Sequence, residues 1–297
     1  MIPNDLQISY PLPEDKWMIA DLWQDSFNDL PEFIEVFFDR VYEPENTLVI
    51  KRDGFVISTL QILPYKLKFK HKPDFPVAYI CGACTHPFER RKGLMKALII
   101  HAKLEIKKRG FFYAIVKPAD LSLFNFYMKL GFTQIINHNN SNIYTREYVS
   151  RMSLKKTPFT FEDGSIKYYP YFLRNQNKGN LVTVHHDVYD FETILQEYES
   201  CGGKVVVAIY NNEPVGMAFA EKIPQNIAFI KKIIATNGKV RMAICKYIAK
   251  VFNADYVKIY NPGCSSNPSE EYYHGLACKI RGNVKLESFF DLSLVHD

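Results

Sequence analysis

The chain contains no uninterrupted apolar run approaching the roughly 20 residues a membrane-spanning helix needs. Its first ten residues, MIPNDLQISY, offer neither a basic n-region nor an apolar h-region. No membrane association and a cytoplasmic location are therefore expected. Two phosphate-binding signatures are also missing: there is no G-x-x-x-x-G-K-[ST] and no G-x-G-x-x-G. Cysteine is sparse, with six in 297 residues. Cys81 and Cys84 form a lone C-x-x-C inside the strand-like PVAYICGACT, with no second pair to follow. Side chains three apart on a regular strand point to opposite faces, so no metal site is expected there. The net charge of +5 is mild and is not gathered in one tail, so no nucleic-acid partner is expected. Glutamate is absent between Glu45 and Glu89, a gap that matters below.

What is present is a large apolar and aromatic complement. With 47% hydrophobic residues, 22 Phe and 19 Tyr, the chain can bury a substantial core and is not disordered. Its length suggests two domains. A short strand at Leu6–Tyr10 precedes helical spacing over Pro13–Phe27 and Leu30–Tyr42. Two apolar strands flank Arg52-Asp53-Gly54, a hairpin signal, and FPVAYICGACTHP reads as the next strand. A helix is predicted from about Glu89 to Arg109, then a strand at FFYAIVKP and a short helix at ADLSLFNFYMKL. FTQII and NIYTREYVSRMSL read as two closing strands, and Lys155–Ser165 as a linker. The pattern then partly repeats. A strand at Leu181–Val184, a helix at YDFETILQEYES and a hairpin turning at Asn211-Asn212-Glu213 come first. NIAFIKKIIATNGKVRMAICKYIAKVFNADYVKIYNP follows, aligning with Val77–Pro118 as strand, loop, helix and strand. The expected fold class is mixed α/β, built as two related domains at 1–154 and 155–297.

The copies differ at one loop. The first has HPFERRKGLM between strand and helix; the second has only TNGKVRM. A helix N-terminus leaves backbone N–H groups unpartnered and carries partial positive charge, so it attracts anions. Arg90, Arg91 and Lys92 add full charges there, and Gly93 permits close backbone approach. Cations at that end oppose the helix dipole by roughly a few tenths of a kcal/mol each. Three together favour a bound anion over a solvated surface turn. The reading is a phosphate or pyrophosphate site on the N–H groups from Arg91 to Met95.

RRKGLMKALI after YICGACTHP resembles the acetyl-CoA loop of the GNAT superfamily of N-acetyltransferases, whose Arg/Gln-x-x-Gly-x-Gly/Ala falls on Arg90, Gly93 and Met95. Met95 departs from the small final residue, as in the multi-domain enhanced-intracellular-survival type, which STLQILPYKLKF and a second degenerate copy of the fold also resemble. NFYMKLGF (Asn125–Phe132) resembles the family's F-Y-x-x-x-G-F. The resemblance implies tandem GNAT-like acyl-CoA N-acyltransferase domains, the first catalytic and the second degenerate. It implies that Cys81, Ala83, Cys84 and Thr85 border the pantetheine arm of acetyl-CoA, the cosubstrate. Arg90, Arg91, Lys92, Gly93, Leu94 and Met95 would hold the pyrophosphate, and Tyr127 would protonate the departing thiolate. An ordinary phenol pKa of about 10 lies just above a thiol's of about 8.5, which suits such a transfer. The alternative for Tyr127 is a core aromatic at helical spacing with Phe124.

The general base is not evident, given the glutamate gap. The terminal carboxylate at Asp297, implied by the same resemblance, stands beside His86 and His101 as a candidate, and both histidines also fit structural roles. Glu32, Glu35, Asp39, Glu43 and Glu45 could face a cationic acceptor or simply water. Three functions compete: an N-acetyltransferase acting on a primary amine of a small molecule or an amino-acid side chain, a twin-domain aminoacyl or acyl transferase, and a non-catalytic acyl-CoA sensor. The acceptor, the acyl preference and any homo-oligomer stay open.

Overall fold

The computed structural model describes residues 6–69, 74–138, 142–152, 157–177, 182–260, 272–282, 286, 292 and 294. Its regular elements begin with β1 (Ile8–Ser9), α1 (Lys16–Phe27), α2 (Pro31–Arg40), β2 (Thr47–Arg52), β3 (Phe55–Phe69) and β4 (Phe75–Thr85). Then come α3 (Leu94–Lys108), β5 (Tyr113–Val116), α4 (Phe124–Lys129) and β6 (Gln134–His138). Next are β7 (Asn142–Thr145), α5 (Arg146–Met152), β8 (Thr160–Asp163), α6 (Tyr169–Asn175), β9 (Val182–His185) and α7 (Val188–Ser200). The chain closes with β10 (Lys204–Tyr210), β11 (Glu213–Ile223), β12 (Ile227–Ala235), α8 (Gly238–Val251), β13 (Tyr256–Ile259) and β14 (Tyr272–Lys279). Among the described residues no helix is long and apolar enough to cross a membrane.

Two compact units result. The first holds the described residues from 6 to 138 and from 273 to 286, the second those from 142 to 272 together with 292 and 294. The first unit carries a sheet in the order β1-β2-β3-β4-β5-β14-β6. Its β2–β3 hairpin turns at Asp53 (φ 51) and Gly54 (φ 84), both left-handed as a tight hairpin turn requires. One face of the sheet buries Leu60, Ile62, Ala78 and Ile80 against Leu94, Leu98 and Ile99 of α3. The aromatic residues of α1, of α2 and just beyond it cluster with one another, Trp23 with Phe37 at 4.6 Å and Phe38 with Tyr42 at 5.1 Å.

The second unit carries a sheet in the order β7-β13-β12-β11-β10-β8. Its β10–β11 hairpin turns at Asn211 (φ 50) and Asn212 (φ 62). The α8 residues Ile244 and Ile248 pack with Ala218, Ile230 and Val257. On a separate cluster, Phe172 of α6 stacks on Phe191 of α7 at 4.7 Å. In both units an antiparallel hairpin feeds a strand, a helix and a parallel strand: β4–α3–β5 in the first, β12–α8–β13 in the second. The repeat read from the sequence is thus a repeat of fold.

Three local readings change. The long helix starts at Leu94, not near Glu89, because Pro87–Glu89 forms a separate turn of 3-10 helix and Gly93 takes a left-handed φ of 82. NIYTREYVSRMSL does not add a strand to the first sheet: β7 pairs with β13, and α5 follows it. The expected linker contains β8, which pairs with β10. Late in the chain, β14 pairs with β5 in the first sheet.

Candidate active site in the first unit

The site is built where β4 and β5 part. Their parallel pairing runs from Val77↔Tyr113 to Ile80↔Val116 and ends there, while β4 continues to Thr85. Cys81 to Thr85 therefore form a strand edge without β5 alongside. That edge is where the sequence placed the pantetheine arm.

The same edge is bent. Gln61 pairs with Cys81 and Thr59 with Cys84, so three steps on β4 match two on β3. The extra residue is a β-bulge, and Gly82 takes a φ of 54 within it. The bulge also corrects the C-x-x-C argument. It restores one face to both cysteines, with Ala83 packing toward the α3 cluster and Cys84 lying beside Ser26 of α1. Burial pushes the Cys84 thiol up to about 12, against small opposing effects of Ser26 and Arg90, so it is not a thiolate nucleophile. Among the described residues no group of three or more His, Cys, Asp or Glu could hold a metal.

The loop from His86 to Gly93 delivers the chain to α3. Arg90 Nε donates to the Thr85 carbonyl at 3.0 Å, and Lys92 Nζ donates to Glu89 Oε2 at 3.2 Å. Glu89 also pairs with Arg52. Among the described residues Arg91 makes no such bond, and its φ of 63 is left-handed like that of Gly93. Left-handed positions within a turn bring neighbouring N–H groups into a concavity that suits an anion. The first helical bond of α3 runs from Ala97 N–H to Gly93 O at 3.0 Å, leaving the N–H groups of Leu94, Met95 and Lys96 at the helix end. Gly93 supplies no side-chain cap, and a Cβ placed on it would meet nothing within 4 Å. Met95 tucks partly against the buried core instead of blocking this space.

The second copy gives the contrast. There Asn237 caps α8, its Oδ1 accepting from Lys239 N–H at 2.9 Å and Val240 N–H at 3.1 Å. The same donors that α3 leaves open are closed in α8 by the protein's own side chain.

Tyr127 lies on α4 in the buried cluster that holds Leu94, Leu98 and Ile80. It meets Phe126 and Phe132 edge-on at 5.1 and 5.8 Å. Burial pushes its phenol up to about 12, above the value the sequence argument assumed. The phenol is therefore protonated near neutral pH and holds its proton more tightly than a free phenol. It donates a hydrogen bond readily but gives up its proton to a thiolate less readily than an ordinary phenol would. Asp120 stabilises the turn leading to this helix by accepting from Ser122 N–H at 2.6 Å, which holds its carboxyl below the usual range.

Of the base candidates, His101 lies beside Glu105 (3.8 Å) well along α3, away from the bulge. His86 lines a cleft of about 570 Å³ that also includes Trp17, Asp21, Asp25, Arg52, Asp53, Phe88 and Glu89. Four carboxylates against one guanidinium give this cleft negative character. These acidic residues are not the ones the sequence offered; Asp39, for example, pairs with Lys16 on the surface. Asp297 lies outside the described residues. The sequence reading missed Gly82, Gln61 and Trp23; a glycine inside a strand pattern was the available signal for the bulge.

Residues 11–135 match the acetyltransferase (GNAT) domain family. These residues form a GNAT acetyltransferase domain. No curated protein sequence matches significantly. Solved structures resemble nearly the whole chain in fold. A protein of unknown function from Enterococcus faecalis V583, named as a probable N-acyltransferase, is 15% identical with a TM-score of 0.73 over 93% of this chain and 72% of that one. A GCN5-related N-acetyltransferase from Anabaena variabilis is 15% identical with a TM-score of 0.69 over 93% and 73%. Eis1 from Mycobacterium abscessus is 11% identical with a TM-score of 0.63 over 93% and 73%. The tandem GNAT-like architecture extends through both units of the chain.

Proposed function

We propose that the first unit transfers an acetyl group from acetyl-CoA to a primary amine of a small molecule or an amino-acid side chain, by direct attack of the amine on the thioester. The observation that carries this reading is the uncapped N-terminus of α3, fed by Arg90, Arg91, Lys92 and Gly93, next to a β4 edge that β5 leaves open. The loop N–H groups and the Arg91 guanidinium complement a pyrophosphate, and the open edge offers main-chain partners to an extended pantetheine arm. The amine forms a C–N bond to the acyl carbon, the C–S bond breaks, and the thiolate takes a proton from Tyr127. The proton lost by the amine leaves to solvent, and the Tyr127 phenolate takes one back from solvent, which restores the phenol. Holding amine and thioester together supplies much of the acceleration without a strong base. The acidic cleft of Asp21, Asp25, Asp53 and Glu89 favours a positively charged acceptor molecule.

Closure of the matching donors by Asn237 supports a single cofactor site per chain. The test is calorimetric titration of CoA into the protein and into Gly93→Glu. The expected result is one site in the first and none in the second. Equal affinity in both would sink the assignment of the loop.

A further inference from the structure

Beside the bulge lies a feature that neither the fold nor the cofactor site explains. Gln61 is fully buried, and neither Oε1 nor Nε2 has a hydrogen-bond partner. Thr59, two residues along the same strand face, is equally buried, and its Oγ1 is also unpartnered. Buried polar atoms are almost always bonded, so three orphans on neighbouring side chains call for an occupant. The place is defined by Gly82. A Cβ there would fall 1.9 Å from Gln61 Oε1 and 2.4 Å from a Trp23 ring carbon. The carboxamide therefore lies directly over the β4 main chain at the bulge, with the Trp23 ring covering the same glycine. Any side chain at residue 82 would expel both.

We propose that the Gln61 carboxamide grips the reacting centre itself. Oε1 accepts an N–H of the attacking amine, Nε2–H donates to the thioester carbonyl oxygen as it becomes negative, and the Thr59 hydroxyl accepts the amine's second N–H. This rests on the acetyl-transfer reading above. The chemistry fits in three respects. An amide presents one acceptor and one donor side by side, and the tetrahedral adduct of an amine and a thioester presents one donor and one acceptor side by side. Both protein groups are uncharged, so a buried ammonium would go uncompensated while the neutral amine, the form that attacks, is accommodated. The Nε2–H bond strengthens as the oxyanion develops, which is the requirement for accelerating the chemical step. The chain lacks a glutamate between Glu45 and Glu89. On this reading selection of the neutral amine takes the place of a base on β3 or β4.

The experiment compares the full chain with Gln61→Leu, Gln61→Glu and Thr59→Val, using acetyl-CoA and whichever amine the unaltered protein acetylates. Gln61→Leu is expected to lower kcat on the order of 100-fold, the usual cost of losing one oxyanion donor. Its CoA affinity should stay within twofold and its Tm should hold or rise, because orphaned polar atoms are replaced by an apolar group. Gln61→Glu, nearly isosteric but without the N–H donor, should lose kcat as well. Thr59→Val keeps the question open to refutation if either Gln61 variant fails to fold, and should lower kcat/KM for the amine several-fold. Gln61→Leu with near-normal kcat would overturn the assignment of Gln61 and leave the transferase reading standing. Absence of turnover by the unaltered protein with every amine tried, despite CoA binding, would overturn both.

Discussion

Replacing Gly82 by alanine is the most severe small change the structure identifies. The new Cβ would sit 1.9 Å from Gln61 Oε1 and 2.4 and 2.8 Å from two ring carbons of Trp23. Trp23 cannot retreat easily: it is 2% exposed, packs at 4.6 Å on Phe37, and donates its Nε1–H to Asp29 Oδ2 at 2.7 Å. Overpacking of this kind costs about 1–3 kcal/mol. The left-handed φ of 54 adds about 1–2 kcal/mol for a residue with a Cβ. The expected destabilisation is about 2–5 kcal/mol, a large part of an ordinary stability of about 5–15 kcal/mol. At about 2–4 °C per kcal/mol for a unit of this size, Tm should fall by roughly 4–20 °C. Differential scanning calorimetry measures it, and the double variant Gly82→Ala/Gln61→Ala should recover only part of the loss, because the ring contact remains. A Tm within about 2 °C of the parent would refute the bulge geometry and, with it, the placement of Gln61.

Tyr127→Phe should slow turnover about 10²–10⁴-fold, the range for a general acid, with acetyl-CoA affinity retained; an unchanged rate in a steady-state assay would remove the phenol from the mechanism. Asn237→Ala should cost the second unit about 1 kcal/mol by uncapping α8, seen as a lower denaturant midpoint, while CoA titration is unaffected; a loss of CoA affinity would contradict the single-site reading. The Cys84 thiol and the Tyr127 phenol are both raised to about 12 by burial. Their folded-state pKa values exceed the unfolded ones, so the stability they contribute is present below about pH 9 and lost as pH rises toward 12. Tm should fall over that window, less steeply in Cys84→Ala, and a Tm independent of pH there would contradict their burial.

Periodicity and turn chemistry made most of the fold legible. The Asp53-Gly54 and Asn211-Asn212 turns fixed both hairpins, and the alternation of strand, helix and strand exposed the repeat. The loop at Arg90–Gly93 stood out in the sequence because three cations before a helix oppose its dipole; the structure gives Arg90 and Lys92 partners in Thr85 and Glu89, which the sequence did not show. Three things were not. The strand β14 pairs with β5 across most of the chain's length, and no local pattern announces so distant a partner. The helix start moved to Leu94 because Gly93 breaks the backbone path, an effect of φ rather than of composition. Gln61 follows Ser58 and Thr59 in its strand with nothing in the sequence to single it out, and only the bulge at Gly82 gives it a place over the β4 main chain.

Release of free CoA thiol from acetyl-CoA, followed against a panel of primary amines, tests the central claim most directly. The account predicts release that depends on the amine, saturates with both substrates, favours cationic acceptors and disappears in Gly93→Glu. CoA binding without amine-dependent thiol release for any acceptor in the panel would contradict it.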